Sequence, residues 1–321
     1  MSSANLLTHA DVLAAAARIA SHAHVTPVLQ CASLNQLSGA RLFFKCENFQ
    51  RIGAFKFRGA CNAVWSLSDA DARHGVVTHS SGNHGAALAL AARTRGIAAH
   101  VVVPTGAVRS KVAAIQDYGA TVHECAPTMA AREAMADAIG RETGARMVHP
   151  FTDPAVIAGQ GTAALELMRE VAALDIVMTP VGGGGLISGT ALAVSGSARA
   201  IRVFGAEPAG AADAFESLRR GMRVVDVVPD TVCDGLRGTL GQPNFELMRA
   251  HGVQVLLVDD AQTMAALRLV WERLKIVIEP SCATVLAAVL RYRDVFEGKR
   301  VGLVLSGGNV DLDELRFGDP R

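Results

Sequence analysis

Charge is what this sequence has little of. Lysine and arginine number 31 against 30 aspartates and glutamates, a formal net charge of +1, so there is no basic excess to hold a polyphosphate backbone or an anionic membrane surface. Neither nucleic acid nor membrane is expected as a partner. Only 19% of residues are charged, against about 25% in ordinary globular chains. Half are apolar, and that balance excludes intrinsic disorder and requires extensive burial. The six cysteines, at 31, 46, 61, 125, 233 and 282, include no Cys-x-x-Cys pair. They suggest neither a zinc site nor a disulfide framework and fit a reducing, cytoplasmic compartment. No secretion signal is expected, because His9, Asp11 and Arg18 interrupt the alanine-rich opening where a long apolar run would be needed. Residues 176–198 carry no formal charge, yet Pro180 and the glycines at 182–185 break them centrally, so they read as soluble structure rather than a membrane span. Repeats and low-complexity linkers are missing too, and 321 residues allow two domains at about 100–200 residues each.

What is there is a rhythm of short apolar, β-branched runs at 42–46, 76–79, 100–103, 121–125, 147–149, 176–181, 202–206, 253–258 and 301–305. They predict buried strands. Between most of them the spacing turns helical, as in Met264, Leu267, Val270 and Leu274, or Ala131, Ala134, Met135, Ala138 and Ile139 on one face. The first segment, 10–22, predicts a helix with Asp11 near its start, where a carboxylate complements the helix dipole. Strand alternating with helix predicts an α/β fold of mainly parallel sheet, covered by helices on both faces, with ligands beyond the carboxyl ends of the strands.

The run 176–181 leads into Gly182, Gly183, Gly184 and Gly185 and then a segment of apolar and small residues. Glycines let consecutive backbone N–H groups turn toward one point, and a helix N-terminus adds positive potential, so a phosphate fits there without any lysine. The loop lacks the Gly-Lys-Ser/Thr ending of a nucleoside triphosphate loop and the spacing of Gly-x-Gly-x-x-Gly. A tight turn without ligand is the plain alternative. In Gly53-Ala54-Phe55-Lys56-Phe57-Arg58-Gly59-Ala60 a lysine stands between two phenylalanines. Apolar neighbours penalise an ammonium and free the amine for Schiff-base chemistry, unless the lysine snorkels to solvent. Thr78-His79-Ser80-Ser81-Gly82-Asn83-His84-Gly85 closes another strand and opens an alanine-rich helix. Its hydroxyls, carboxamide and free helix-end N–H groups suit a carboxylate or a phenolic oxygen, or Ser81 or Asn83 simply caps the helix. Ser306-Gly307-Gly308-Asn309 follows the last strand and puts one hydroxyl at a glycine turn.

In this order, and together with Lys45-Cys46-Glu47-Asn48-Phe49-Gln50 and Pro154-Ala155-Val156-Ile157-Ala158-Gly159-Gln160-Gly161-Thr162, these clusters resemble the fold-type II pyridoxal 5'-phosphate enzymes. That fold is the tryptophan synthase β-like one, two domains of open parallel sheet with flanking helices. Within it the likeness is to the serine racemase and serine/threonine dehydratase branch, including 3-hydroxyaspartate dehydratase-like members, and it spans nearly the whole chain. The resemblance implies that Lys56 forms the imine with the cofactor aldehyde, that Phe55 lies against the pyridine face and that Asn83 donates to the ring 3'-oxygen. Gly182 to Gly185 would hold the phosphate and Ser306 would face the pyridine nitrogen. A neutral hydroxyl there stores less carbanion charge in the ring and favours prompt loss of a β-leaving group. Lys56 then acts as base at Cα, and water leaves from Cβ to give a 2-oxo acid and ammonia. Ser81 resembles the residue that reprotonates Cα from the opposite face in racemases, so a minor racemase activity is expected. The implied substrate is a small β-hydroxy amino acid of the threonine/serine type, its carboxylate held by Ser80, Ser81, Asn83 and His84.

Arg132 matches a substrate-contacting arginine of the family. Either it grips a second carboxylate, favouring 3-hydroxyaspartate, or it pairs with Glu133, Asp137 and Glu142 on its own helix. Glu207-Pro208-Ala209-Gly210-Ala211-Ala212-Asp213 matches the divalent-cation loop of the branch and implies magnesium or calcium on Glu207, Asp213 and the backbone oxygen of Ala211. Read bare, it is a solvated turn, or Glu207 imitates a ribose-binding acid. The resemblance further implies a homodimer, a large cofactor-binding domain of residues 1–73 and 153–321, and a small mobile domain of residues 74–152. There are departures: Ala54 stands where many relatives carry Ser or Thr, and the segment 234–241 places glycine and Arg237 where relatives vary, which leaves the substrate open. Only twelve residues follow Asn309, so the effector domain of biosynthetic threonine dehydratases and feedback by isoleucine are not expected. The competing readings are 3-hydroxyaspartate dehydratase or serine racemase as the main activity, β-replacement as in cysteine synthases, which Ser80-Ser81-Gly82-Asn83-His84 argues against, and a non-catalytic sensor of a phosphate ligand.

Overall fold

The computed structural model describes residues 7–312. The first six residues, at the start of the stretch where a secretion signal would stand, and residues 313–321, most of the tail behind Asn309, lie outside the described residues. The strands are β1 (Val28–Leu29), β2 (Arg41–Cys46), β3 (Val76–His79), β4 (Ala99–Pro104), β5 (Thr121–Cys125), β6 (Arg146–Met147), β7 (Ile176–Pro180), β8 (Arg202–Pro208), β9 (Gln254–Val258) and β10 (Arg300–Leu305). They form a six-stranded sheet in the order β1-β2-β10-β7-β8-β9 and a four-stranded sheet in the order β5-β4-β3-β6. Every pairing is parallel except β1 with β2.

Each expected run falls on a strand, but the run at 147–149 only grazes one. Val148 still donates to the Val77 carbonyl at 2.9 Å, and Pro150, with no N–H, cannot continue the ladder. The short antiparallel β1 was not foreseen, because two residues carry no periodicity. The first helix, His9–Ile19, is shorter than expected and starts with the Asp11 carboxylate accepting the Thr8 N–H at 2.7 Å.

Helices cover both faces of each sheet, as parallel strands buried on both sides require. Phe44, Ile176, Phe204 and Val301 share a core with helices Asp260–Leu274 and Pro280–Arg291. Phe43, Val177 and Val203 point the other way, against helices Pro154–Glu170 and Gly185–Ser195. On the smaller sheet Val76 and Val101 meet helices Lys56–Trp65 and Asn83–Arg95, while Val77 and Val102 meet helix Met129–Thr143. On that last helix Ala131, Met135 and Ile139 of the expected stripe do pack toward the sheet, but Ala134 and Ala138 are exposed and Ala136 is buried instead. No helix among the described residues is long and apolar enough to cross a membrane.

Four charges beside helix Lys56–Trp65, three of them fully buried and Glu166 partly so, lock this arrangement. Arg58, fully buried, donates to both oxygens of Glu47 (2.7 and 2.9 Å) and both of Glu166 (2.7 and 2.8 Å). Lys45 donates to Glu166 at 2.6 Å and to the Thr26 carbonyl at 2.7 Å. Two cations and two anions cancel, and burial would raise the Glu166 carboxyl were it not held below its ordinary range by Arg58 and Lys45. Removing one member strands its partner in low dielectric at a cost of about 3–5 kcal/mol. Arg58→Met is therefore expected to lose that much stability in chemical denaturation. Breaking the exposed Arg268–Glu272 pair should leave the midpoint unmoved, and equal effects of the two changes would refute the assignment.

Candidate active site

The carboxyl ends of β3, β6, β7 and β10 turn toward a cleft of about 520 Å³ between the two sheets. Lys56 enters it from the first turn of its helix. The neighbouring backbone is tied down, with Phe55 N–H donating to the Ser306 carbonyl at 2.9 Å and Ala54 bridged to Gly307. The side chain borders the cleft but is otherwise surrounded by protein, and its amine donates to the Pro150 carbonyl at 2.9 Å. It does not snorkel to solvent. Burial lowers the ammonium to about 8, against the opposing charge of Glu279, which leaves a usable fraction of free amine near neutral pH.

The glycine loop leaves β7 and becomes the N-terminus of helix Gly185–Ser195, with no side chain capping it. Gly184 sits at φ 91°, a conformation only glycine adopts readily. A Cβ on Gly183 would lie 2.4 Å from the Phe151 ring. The result is a close-walled cradle of unpaired N–H groups, and its fit is to an anion rather than to a mere turn.

Across the cleft, residues 80–84 connect β3 to helix Asn83–Arg95. Gly82, not Ser81 or Asn83, holds the cap position, and no side chain caps the helix. Ser80 and Ser81 line the cleft. The Asn83 carboxamide donates to both oxygens of Glu279, each at 3.2 Å, and accepts from Asn309 at 2.8 Å. His84 is different. Its Nε2 lies 3.2 Å from the Val148 carbonyl, its Nδ1 is buried without a partner, and burial with the nearby Lys56 charge keeps it neutral. A neutral ring that donates through Nε2 offers only a lone pair at Nδ1, and a carboxylate is itself an acceptor. The backbone N–H of His84, not its ring, is what can meet a carboxylate.

Glu279 escaped sequence reasoning. It precedes Pro280 at the start of helix Pro280–Arg291 and looks like an ordinary helix-start acid. Tertiary packing buries it, lifting its carboxyl to about 7, with Asp234 adding to the shift and the Asn83 hydrogen bond opposing it. Phe151, Pro150 and Asn244, whose Nδ2 donates to the Phe151 carbonyl at 2.9 Å, were likewise unsuspected. Lys111 and Asp234 form an ion pair that spans the cleft.

Arg132 stands on the face of its helix that carries Ala136 and Ile139, one turn nearer the N-terminus. It lines the cleft, and its Nε is buried without a partner, whereas Glu133, Asp137 and Glu142 are exposed. Glu207 and Asp213 do come together, both buried. Glu207 accepts the N–H groups of Ala214 and Phe215, each at 2.8 Å, and Asp213 accepts that of Leu240 at 2.7 Å. Burial raises both carboxyls, and the Asp213 charge helps to push Glu207 well above its ordinary range. The pair is therefore no solvated turn, and such donors fit a hard cation. Among the described residues no group of three acidic, histidine or cysteine side chains could hold a metal, so an ion there would also need a backbone oxygen such as that of Ala211.

A desolvated amine facing a glycine-lined helix end is matched to a ligand that carries both an aldehyde and a phosphate, and this defines the class as fold-type II pyridoxal phosphate enzymes. The chain belongs to the family described as "Pyridoxal-phosphate dependent enzyme", whose sequence model matches residues 19–307. It is 48% identical over 308 residues to the beta-hydroxyaspartate dehydratase of Paracoccus denitrificans (strain Pd 1222), covering 96% of this chain and 98% of that one. The crystal structure of serine racemase from Dictyostelium discoideum superposes with a TM-score of 0.92 at 47% identity, covering 96% and 100% of the two chains. The maize serine racemase structure does so with a TM-score of 0.94 at 42% identity, covering 96% and 95%. A crystallised threonine deaminase is also similar, with a TM-score of 0.89 at 39% identity, covering 95% and 99%.

The protonation of Lys56 is directly measurable. Competitive acylation of the cofactor-free protein should show residue 56 reacting with a midpoint near pH 8, not near 10.5. Glu279→Gln should move it lower still, because the lost anion no longer favours the ammonium. A midpoint at or above 10.5 would contradict the desolvation argument.

Proposed function

We propose that the chain catalyses the dehydrative deamination of a small β-hydroxy amino acid, of the threonine/serine type, to a 2-oxo acid and ammonia, with minor racemisation. The observation that carries this reading is the desolvated Lys56 amine inside the cleft opposite the glycine loop. Pyridoxal phosphate, when bound, supplies an aldehyde for the substrate amine and a ring that draws electrons from Cα. Gly182, Gly183, Gly184 and Gly185 would hold its phosphate, Phe55 would lie against its ring, and the Asn83 amide would donate to the 3'-oxygen. Ser306 would meet the pyridine nitrogen with a neutral hydroxyl, which would not keep it protonated and would favour prompt loss of the β-hydroxyl over prolonged charge storage. Lys56, lowered to about 8 and so partly a free amine near neutral pH, takes the Cα proton. Ser80, Ser81, Asn83 and the backbone of His84 hold the substrate carboxylate near the start of helix Asn83–Arg95, where the dipole favours it. Ser81 is the group that returns a proton to Cα in the minor racemisation.

Residues 74–152 are taken as the mobile domain. The Lys111–Asp234 pair would help it close on the substrate and exclude water. Glu207, Asp213 and the Ala211 oxygen are taken to hold magnesium or calcium. The assembly is proposed to be a cytoplasmic homodimer, the six free cysteines suiting a reducing compartment.

A second reading, 3-hydroxyaspartate as the preferred substrate, is favoured by one observation: the unpartnered Nε of Arg132 at the cleft wall. The name of the Paracoccus relative agrees with it.

Both readings are tested by measuring 2-oxo acid release from serine, threonine and 3-hydroxyaspartate. Lys56→Ala should abolish release from all three, and borohydride reduction of the wild type should leave a pyridoxyl adduct on the peptide containing residue 56. Arg132→Ala should lower the preference for 3-hydroxyaspartate over threonine about tenfold to a hundredfold, the worth of one charge-assisted hydrogen bond; an unchanged ratio would remove the second reading. Thorough chelation should depress turnover and added magnesium restore it, whereas indifference to both would dismiss the ion. No 2-oxo acid from any of the three, with cysteine formed from O-acetylserine and sulfide, would replace dehydration by β-replacement.

A further inference from the structure

His79 is the last residue of β3, and strand alternation places it on the same face as Val77. Val77 shares a core with Ala136 and Ile139 of helix Met129–Thr143, so His79 points toward that helix. Arg132, Ala136 and Ile139 follow one another at i, i+4 and i+7, and Arg132 therefore rises from the same helix face in its first turn. Because the helix runs back along the sheet, its N-terminal turn and the carboxyl end of β3 meet at the cleft, and His79 and Arg132 both line it. The first N–H groups of the helix add positive potential at the same spot.

The His79 ring is held in place. It is 6% exposed and meets the ring of His149 edge-on, with centroids 5.2 Å apart at 79°. His149 in turn meets Phe151 edge-on at 4.6 Å and 90°. The Nδ1 of His149 accepts the backbone N–H groups of Phe151 and Thr152 at 3.4 and 3.2 Å, which puts its proton on Nε2. Burial lowers the His79 imidazole from its ordinary range and favours the neutral ring, with Arg132 pushing the same way and Glu133, Asp137 and a hydrogen bond to its own backbone pulling against it. A neutral imidazole always carries one N–H donor. Lining the same cleft, and close enough for its charge to act on the ring, is the Arg132 guanidinium, whose buried Nε has no partner within the protein. One cation and one neutral donor, side by side, match the two oxygens of a carboxylate, whereas a methyl or hydrogen at Cβ of threonine or serine makes no use of them.

We propose that His79 is a specificity-determining residue: its imidazole N–H, next to Arg132, receives the second carboxylate of a β-hydroxy dicarboxylic amino acid. This rests on the second reading above and adds to it a second residue of the subsite.

The test compares the holoenzyme with His79→Leu, which removes the donor, and His79→Asn, which keeps one. The readouts are kcat/KM for 3-hydroxyaspartate and threonine, and calorimetric affinity for succinate and butyrate, which differ by one carboxylate and do not react. His79→Leu is expected to lower the 3-hydroxyaspartate to threonine ratio about tenfold or more, through KM rather than kcat. The succinate to butyrate affinity ratio should fall in parallel, with His79→Asn recovering part of both. A uniform loss for both substrates and both ligands, leaving the ratios intact, would make His79 a packing residue and overturn the proposal; if the leucine variant does not fold, His79→Phe, which also lacks a donor, takes its place, and unchanged ratios there would overturn it equally. Should the wild type neither turn over 3-hydroxyaspartate nor bind succinate more tightly than butyrate, the dicarboxylate reading itself falls, and this inference with it.

Discussion

The guanidinium of Arg58 is the tie on which the site depends. It lies two residues beyond Lys56 and joins the end of β2, through Glu47, to helix Pro154–Glu170, through Glu166. A free arginine in that position would be intolerable in low dielectric, but here its donors are matched by two carboxylates and Lys45 completes the balance. The helix that presents Lys56 can therefore leave its packing in only one direction. The amine inherits that direction, because it sits in the first turn and its neighbours are bonded to the Ser306 segment. Cohesion and chemistry thus share one helix.

Around the amine, the protein withholds water more than it supplies charge. Lys56 and Glu279 are both driven toward their neutral forms by burial, to about 8 and about 7. His84 and His149 are neutral for the same reason. At neutral pH Lys56 and Glu279 accept or release protons at small cost, which suits a lysine that must change role within a turnover. The anion cradle is built from backbone dipoles, so it adds no side-chain cation beside the amine.

Much of the scaffold was legible because its cause is local. Buried parallel strands need continuous apolar runs, so nine of the ten strands announced themselves, whereas β1 has only two residues, Val28 and Leu29. The glycine loop was legible because four glycines between a strand and a helix have few other uses, and Lys56 because two phenylalanines flank it. The expected stripe on helix Met129–Thr143 was wrong by one residue in places, since alanines on every side of a helix do not mark which side is buried. The same ambiguity left Arg132 undecided between its acidic neighbours and the cleft until Ala136 and Ile139 were seen to face the sheet. Likewise Glu207 and Asp213 could equally have been a solvated turn before burial was known.

The sequence by itself determined the α/β alternation, the order of strand, loop and helix at each cluster, and the family those clusters spell out. All of these follow from residues close together in the chain, where periodicity and turn chemistry act. Tertiary structure alone decided that Glu279 meets Asn83 across 196 positions, that the His84 ring turns to Val148, and that Lys56 is largely enclosed by protein at the edge of the cleft. The reason is that protonation and hydrogen bonding depend on what surrounds a side chain once remote segments have packed, and no local pattern records which segments those will be.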